Sequence, residues 1–148
     1  MSIMTGKQVF DIVSIAKKIN FDVPTQLRGP TYYSNFEEIL KNFPPGWTSV
    51  FNEFLYAYLS LMRIDKNRIN NIKYVNGILR FTTEVSVGPV RWLCDGFTKS
   101  ISMRCMISPD TRGRRRTAYE GSPCLSAQNY ILYANEEAER RLNGTASN

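Results

Sequence analysis

An asparagine followed by a glycine, set between two runs of alternating apolar and polar residues, leaves a chain few ways to fold. Residues 71–85, NIKYVNGILRFTTEV, carry this pattern around Asn76-Gly77. A two-residue turn that matches the twist of its strands needs positive φ at both central positions. Glycine adopts it freely and asparagine at small cost. The register then follows from the turn. Val75 lies opposite Ile78, Tyr74 opposite Leu79, Lys73 opposite Arg80 and Ile72 opposite Phe81. This places Ile72, Tyr74, Leu79 and Phe81 on one apolar face and Lys73, Arg80 and Thr82 on the other, so turn chemistry and alternation agree.

The segments around this hairpin read as helices. Val9, Phe10, Ile12, Val13, Ile15 and Ala16 recur at helical spacing between Thr5 and Asn20, with Thr5 as N-cap. Ser34 and Glu37 have capping-box spacing and start a short helix that Pro44-Pro45 ends after Phe43. Gly46-Trp47 lead to a cap at Thr48 or Ser49, and Val50, Phe51, Phe54, Leu55, Tyr58, Leu61 and Met62 form the widest apolar stripe in the chain. After the hairpin, Gly88-Pro89 open a helix with Val90, Leu93, Cys94, Phe97 and Ile101 on its core side. A short strand over Arg116–Tyr119 and a last helix follow. That helix is capped by Ser122-Pro123, carries Leu125, Tyr130, Ile131, Ala134, Ala138 and Leu142 as its apolar positions, and stops at Gly144.

These elements predict an α+β fold in one domain, residues 1–148. Residues 1–66 are mainly helical and pack on a small antiparallel hairpin or sheet. Residues 67–148 hold the hairpin, a helix, a basic loop and a C-terminal helix. The 148 residues, 43% hydrophobic and 22% charged, suit a globular domain. No apolar run approaches the roughly 18 residues of a membrane span, and three cysteines without framework spacing predict a reducing compartment, a cytoplasm.

The sequence contains no histidine. This excludes Ser-His-Asp and Cys-His catalytic sets and every histidine metal ligand. The adjacent carboxylates Glu37-Glu38 and Glu136-Glu137 point partly apart on their helices and are weak acid–base candidates. With no phosphate loop or nucleophile elbow, a non-enzymatic protein is expected, with no cofactor and no small-molecule substrate. Cys105 and Cys124 each stand where a Cys-x2-Cys zinc knuckle would begin. Cys105 is followed by Ile107-Ser108 and Cys124 by Ala127-Gln128 where second thiolates should come, and neutral Ser and Gln are poor zinc ligands, so no bound metal is expected.

The order of these features resembles that of a family of short, mostly uncharacterised phage and prophage proteins. In that family a Gly-Trp dipeptide opens an amphipathic helix. A Gly-x-Leu-Arg-Phe hairpin, a short helix and a zinc-ribbon-like C-terminal half with a basic turn follow. Here Gly46-Trp47, the stretch Tyr74 to Phe81, the helix from Val90 to Met103 and the stretch from Arg104 to Cys124 take these places, the last with half its thiolates replaced. The resemblance implies a phage accessory protein acting in a host bacterial cytoplasm.

The candidate working surface is the loop DTRGRRRTAY, residues 110–119, where Arg112, Arg114, Arg115 and Arg116 crowd together beside Arg104. Arginine forks bind phosphate in bidentate fashion, and Gly113 allows close backbone approach. Tyr119, Tyr32, Tyr33 and Trp47 offer stacking faces. The alternative is a solvated turn whose arginines pair with Asp110, Glu120 or Glu136. Two functional readings stay open. One is binding to a host protein or ribonucleoprotein complex, most concretely the inhibition of a bacterial defence complex in the manner of anti-CRISPR proteins. At a formal charge of +6 the chain cannot be an acidic mimic of nucleic acid. The other is DNA or RNA binding through the arginine loop.

Overall fold

The structure, a computed structural model, describes residues 4–21, 41–116 and 122–147. Its elements in chain order are α1 (Gly6–Ala16), β1 (Asn20–Phe21), α2 (Thr48–Leu61), β2 (Ile69–Val75), β3 (Ile78–Thr83), α3 (Pro89–Ile101), β4 (Arg114–Arg115), β5 (Cys124–Leu125) and α4 (Ala127–Ser147). The fold is α+β. Antiparallel strands β1, β2 and β3 form one sheet in that order, and β4 and β5 form a second, two-stranded one.

The hairpin forms in the expected register, from Val75 opposite Ile78 to Ile72 opposite Phe81. Asn76 and Gly77 both have positive φ, 54° and 82°. Ile72, Tyr74, Leu79 and Phe81 are buried together. Above this face α2 and α3 pack against each other through rings. Phe54 lies 4.7 Å from Phe97 and 5.2 Å from Phe81, and Phe51 stacks on Phe43 at 4.4 Å. Each buried aromatic or aliphatic side chain stabilises by roughly 1.5–3 kcal/mol relative to exposure, so this layer is the thermodynamic centre of the domain.

Local chemistry sets the helix starts. Thr5 caps α1 with a reciprocal capping box to Gln8. Gly88, at φ 97°, precedes Pro89 in the first turn of α3, and Asp65 Oδ2 accepts the Val90 N–H at 3.2 Å, placing a carboxylate at the helix N-terminus.

Several expectations need correction. α1 ends at Ala16, and Asn20–Phe21 become an edge strand paired with Lys73 and Ile72, because the hairpin offers an open ladder there. The cap of α2 is Trp47, with no side-chain cap bond. Thr48 instead donates its hydroxyl to the Pro44 carbonyl. A short strand forms at Arg114–Arg115; of the strand expected over Arg116–Tyr119, Arg116 is not in a strand and the rest lies outside the described residues. Ser122-Pro123 do not cap the last helix. Ser126 does, its Oγ accepting the Asn129 N–H at 3.3 Å, while Cys124-Leu125 pair with the arginines. α4 runs through Gly144, whose open surroundings tolerate the modest propensity cost of a helical glycine. Its buried side is set by Asn129 and Tyr133, leaving Ile131 and Leu142 exposed. The expected helix start at Ser34 and Glu37 lies outside the described residues.

α1 and α4 pack together at close range. A side chain at Gly6 would come within 2.8 Å of the Leu132 carbonyl, and Phe10 stacks on Tyr133 at 5.9 Å.

Gly77→Val should destabilise the fold by about 1–3 kcal/mol in urea unfolding. It forces a β-branched residue to positive φ, and its Cβ would stand 2.6 Å from the Ser122 carbonyl oxygen. Unchanged stability would contradict the turn.

Candidate arginine-lined binding surface

The arginine surface is built on the backbone around Cys105. Cys105 N donates to the Thr111 carbonyl at 2.8 Å and Gly113 N to the Met103 carbonyl at 3.0 Å. These bonds bracket an isolated antiparallel bridge between Arg104 and Arg112. The two arginines therefore form a non-hydrogen-bonded cross-strand pair, the closer of the two kinds, and their side chains leave the ladder on the same side. Like charges placed directly opposite repel. Asp110 stands beside them, 3.7 Å from Arg104 and 89% exposed, and offsets little of that repulsion.

Two adjoining hollows result. The first, about 380 Å³, is lined by Ser100, Met103, Arg104, Asp110, Thr111 and Arg112. The second, about 280 Å³, is lined by Met103, Arg112, Gly113, Arg114 and Arg116. Met103 and Arg112 belong to both.

The five loop arginines separate into two groups. Arg112 and Arg114 are exposed and Arg104 is half-buried. Arg115 alternates to the opposite side of β4 from Arg114, and its Cγ and Cδ pack under the hairpin turn at Gly77. Arg116 lies over the ring of Tyr130 at 5.9 Å and donates to the Leu125 carbonyl at 3.4 Å. Of the four loop arginines, Arg112 and Arg114 are exposed and Arg115 and Arg116 are half-buried, because the Arg104–Arg112 bridge and β4 order the run instead of leaving it a solvated turn. Gly113 serves packing: a Cβ there would lie 2.5 Å from the Cys105 N and Cα. Trp47 is fully buried and donates Nε1–H to the Arg104 carbonyl at 3.0 Å, so it offers no stacking face. Tyr32, Tyr33 and Tyr119 lie outside the described residues. The exposed tryptophan is Trp92, on the outer side of α3, which sequence reasoning passed over. Its position off the apolar stripe of Val90, Cys94, Phe97 and Ile101 was the available signal.

Behind the surface lie the two knuckle cysteines. Cys105 Sγ accepts N–H groups of Ile107 at 3.4 Å and Ser108 at 3.5 Å, and the Asn129 amide at 3.3 Å. The same Asn129 amide donates to Ser108 Oγ at 2.7 Å. Burial pushes the Cys105 thiol up, but donors from Ser108, Ser126, Ile107 and Asn129 outweigh it, and its pKa falls below the ordinary range. Cys124 donates to the Arg104 carbonyl at 3.1 Å, and burial, with Cys105 nearby, pushes its thiol up to about 12. Cys94 is a core residue, likewise pushed up to about 12 by burial. Among the described residues no three Cys, Asp or Glu side chains gather into a group able to hold a metal ion. Glu137, one of the paired carboxylates, is held by Arg140 at 2.8 Å and Arg141 at 3.0 Å, and the hydrogen bond from Arg140 is the main cause that lowers its pKa.

Comparison with known proteins finds no match to this chain among family models, curated proteins or solved structures. No helix among the described residues is long and apolar enough to cross a membrane.

Between about pH 9 and 12 the unfolded chain loses thiol protons that folded Cys94 and Cys124 retain. Their contribution is complete below pH 9 and is lost as pH rises. The urea midpoint should fall across that window, less steeply in Cys94→Ala, and an equal slope in the variant would refute the burial argument. Elemental analysis should find well under one zinc per chain, and a chelator should leave Tm unchanged. Stoichiometric zinc would require Cys105 and Cys124 to abandon their present hydrogen bonds.

Proposed function

We propose that this chain is a non-enzymatic binding protein whose working surface is the pair of hollows between α3 and the arginine bridge, and that its partner there is a polyanion. The supporting observation is the cross-strand juxtaposition of Arg104 and Arg112, extended by Arg114. Folding places like charges side by side with a weak carboxylate partner, an arrangement that an anion's oxygens relieve. Arginine forks held on a ladder suit phosphate oxygens, and the net charge of +6 favours association with any polyanion.

The resemblance to phage accessory proteins supplies the setting. In a host bacterium the polyanion is nucleic acid, free or carried by a host ribonucleoprotein, and occupying it within a defence complex would inhibit that complex. Capture from host lysate with and without nuclease separates this reading from an acidic protein surface. Loss of the captured material on nuclease treatment supports nucleic acid, and survival favours an acidic protein.

The triple variant Arg104→Ala, Arg112→Ala, Arg114→Ala should change folding stability by less than about 1 kcal/mol, because exposed and half-exposed charges contribute little. It should reduce nucleic-acid affinity steeply at low salt. The slope of log K against log salt should shrink by about one unit for each phosphate that an arginine no longer neutralises. Fluorescence anisotropy across a salt series measures both. Unchanged affinity and slope would overturn the proposal.

A further inference from the structure

Resting on the reading that the hollows bind a polyanion, we infer that the outer face of α3 continues them into a track for single-stranded nucleic acid, with Trp92 as its base-stacking platform. The helix packs through Val90, Cys94, Phe97 and Ile101 on the opposite side. Trp92 stays 68% exposed, so its ring contributes little to folding. Lys99 lies two helical turns further along the same face, about 10 Å away at 1.5 Å per residue. Met103, which lines both hollows, comes just after the helix end, about 16 Å from Trp92 by the same rise.

Between them the surface is low. Gly96 is exposed, and a Cβ added there would meet nothing within 4 Å. The charge pattern fits a phosphate backbone. Asp95 is tied to Arg91 at 2.9 Å, while Lys99 is exposed and forms no ion pair among the described residues. A chain leaving the Arg104–Arg112 hollow over Met103 thus meets a cation, a gap in side-chain cover, and then an aromatic face.

This order selects single strands over duplex. The arginine hollows hold phosphates of either form, but a tryptophan ring stacks only on a base whose face is free, and a duplex hides those faces in its own stack. An acidic protein would use the cations and leave the aromatic ring unexplained.

The test uses the chain's own optics. It has two tryptophans, and Trp47 is buried, so a ligand that stacks on Trp92 quenches the exposed share of the emission. The probes are a dye-labelled oligothymidylate and a dye-labelled hairpin duplex of equal phosphate number, titrated with wild type, Trp92→Ala, Trp92→Phe and the triple arginine variant; anisotropy of the label reads affinity in every variant, and tryptophan quenching reads stacking where Trp92 is present. The oligothymidylate should quench wild-type fluorescence and bind more tightly than the duplex. Trp92→Ala should lose roughly tenfold in single-strand affinity, with its salt slope and duplex affinity unchanged, and Trp92→Phe should recover most of the loss. If Trp92→Ala keeps wild-type affinity while the arginine variant loses it, the hollows bind phosphate and the track is refuted. If neither variant loses affinity, the polyanion reading falls as well. Equal binding of duplex without quenching, or a Trp92-dependent partner that is a nuclease-resistant protein or a second copy of this chain, also refutes the track.

Discussion

The backbone from Arg104 to Met106 is where the distant parts of this chain meet, and that meeting depends on two glycines. Gly46 N donates to the Met106 carbonyl at 2.7 Å, and a Cβ on Gly46 would fall 1.8 Å from the Cys105 carbonyl oxygen. Gly113 approaches Cys105 from another side with the same lack of room. The Trp47 indole and the Cys124 thiol both donate to the Arg104 carbonyl, and Met106 N reaches the Cys124 carbonyl at 3.0 Å. Four segments therefore satisfy one another's backbone polar groups in a region where unpaired groups would be costly. The start of α2, the end of α3, the arginine strand and the start of α4 are fixed relative to each other by this junction.

The proposed working surface is a by-product of that junction in the mechanical sense. The ladder that ties Cys105 to Thr111 and Met103 to Gly113 forces Arg104 and Arg112 side by side. The alternation of β4 then sends Arg114 outward and Arg115 beneath the hairpin. The same arginine run thus divides its labour. Arg115 and Arg116 pack against the turn and Tyr130, while Arg112 and Arg114 are exposed and Arg104 is half-buried. The thiols behind the surface act through hydrogen bonds, with Asn129 joining the two ends of the Cys105–Ser108 knuckle.

Where α3 sits follows from the aromatic layer. Phe97 is held between Phe51, Phe54 and Phe81, which fixes the rotation of the helix about its axis. With that rotation fixed, Trp92 and Lys99 must face outward, in line with Met103 and the hollows. The core packing and the aromatic end of the surface therefore share one cause.

By itself the sequence determined the local features whose physics is local. Asn76-Gly77 fixed the hairpin and its register, because a two-residue turn with positive φ admits one pairing. Helical spacing fixed the buried sides of α2 and α3, and Thr5 and Pro89 fixed two helix starts. The absence of histidine excluded histidine catalysis and histidine metal ligands, and the arginine cluster was legible as a run of like charge. Tertiary structure decided what depends on groups far apart in the chain. The edge strand at Asn20-Phe21 exists because β2 had a free edge. The start of α4 moved to Ser126 because Cys124-Leu125 found a pairing partner in Arg114-Arg115. Gly113 and Trp47, which read locally as a phosphate loop and a stacking face, were claimed by the Cys105 junction. The partition of the arginines could not be read from their spacing, since it depends on which carbonyls and rings the fold brings beneath them.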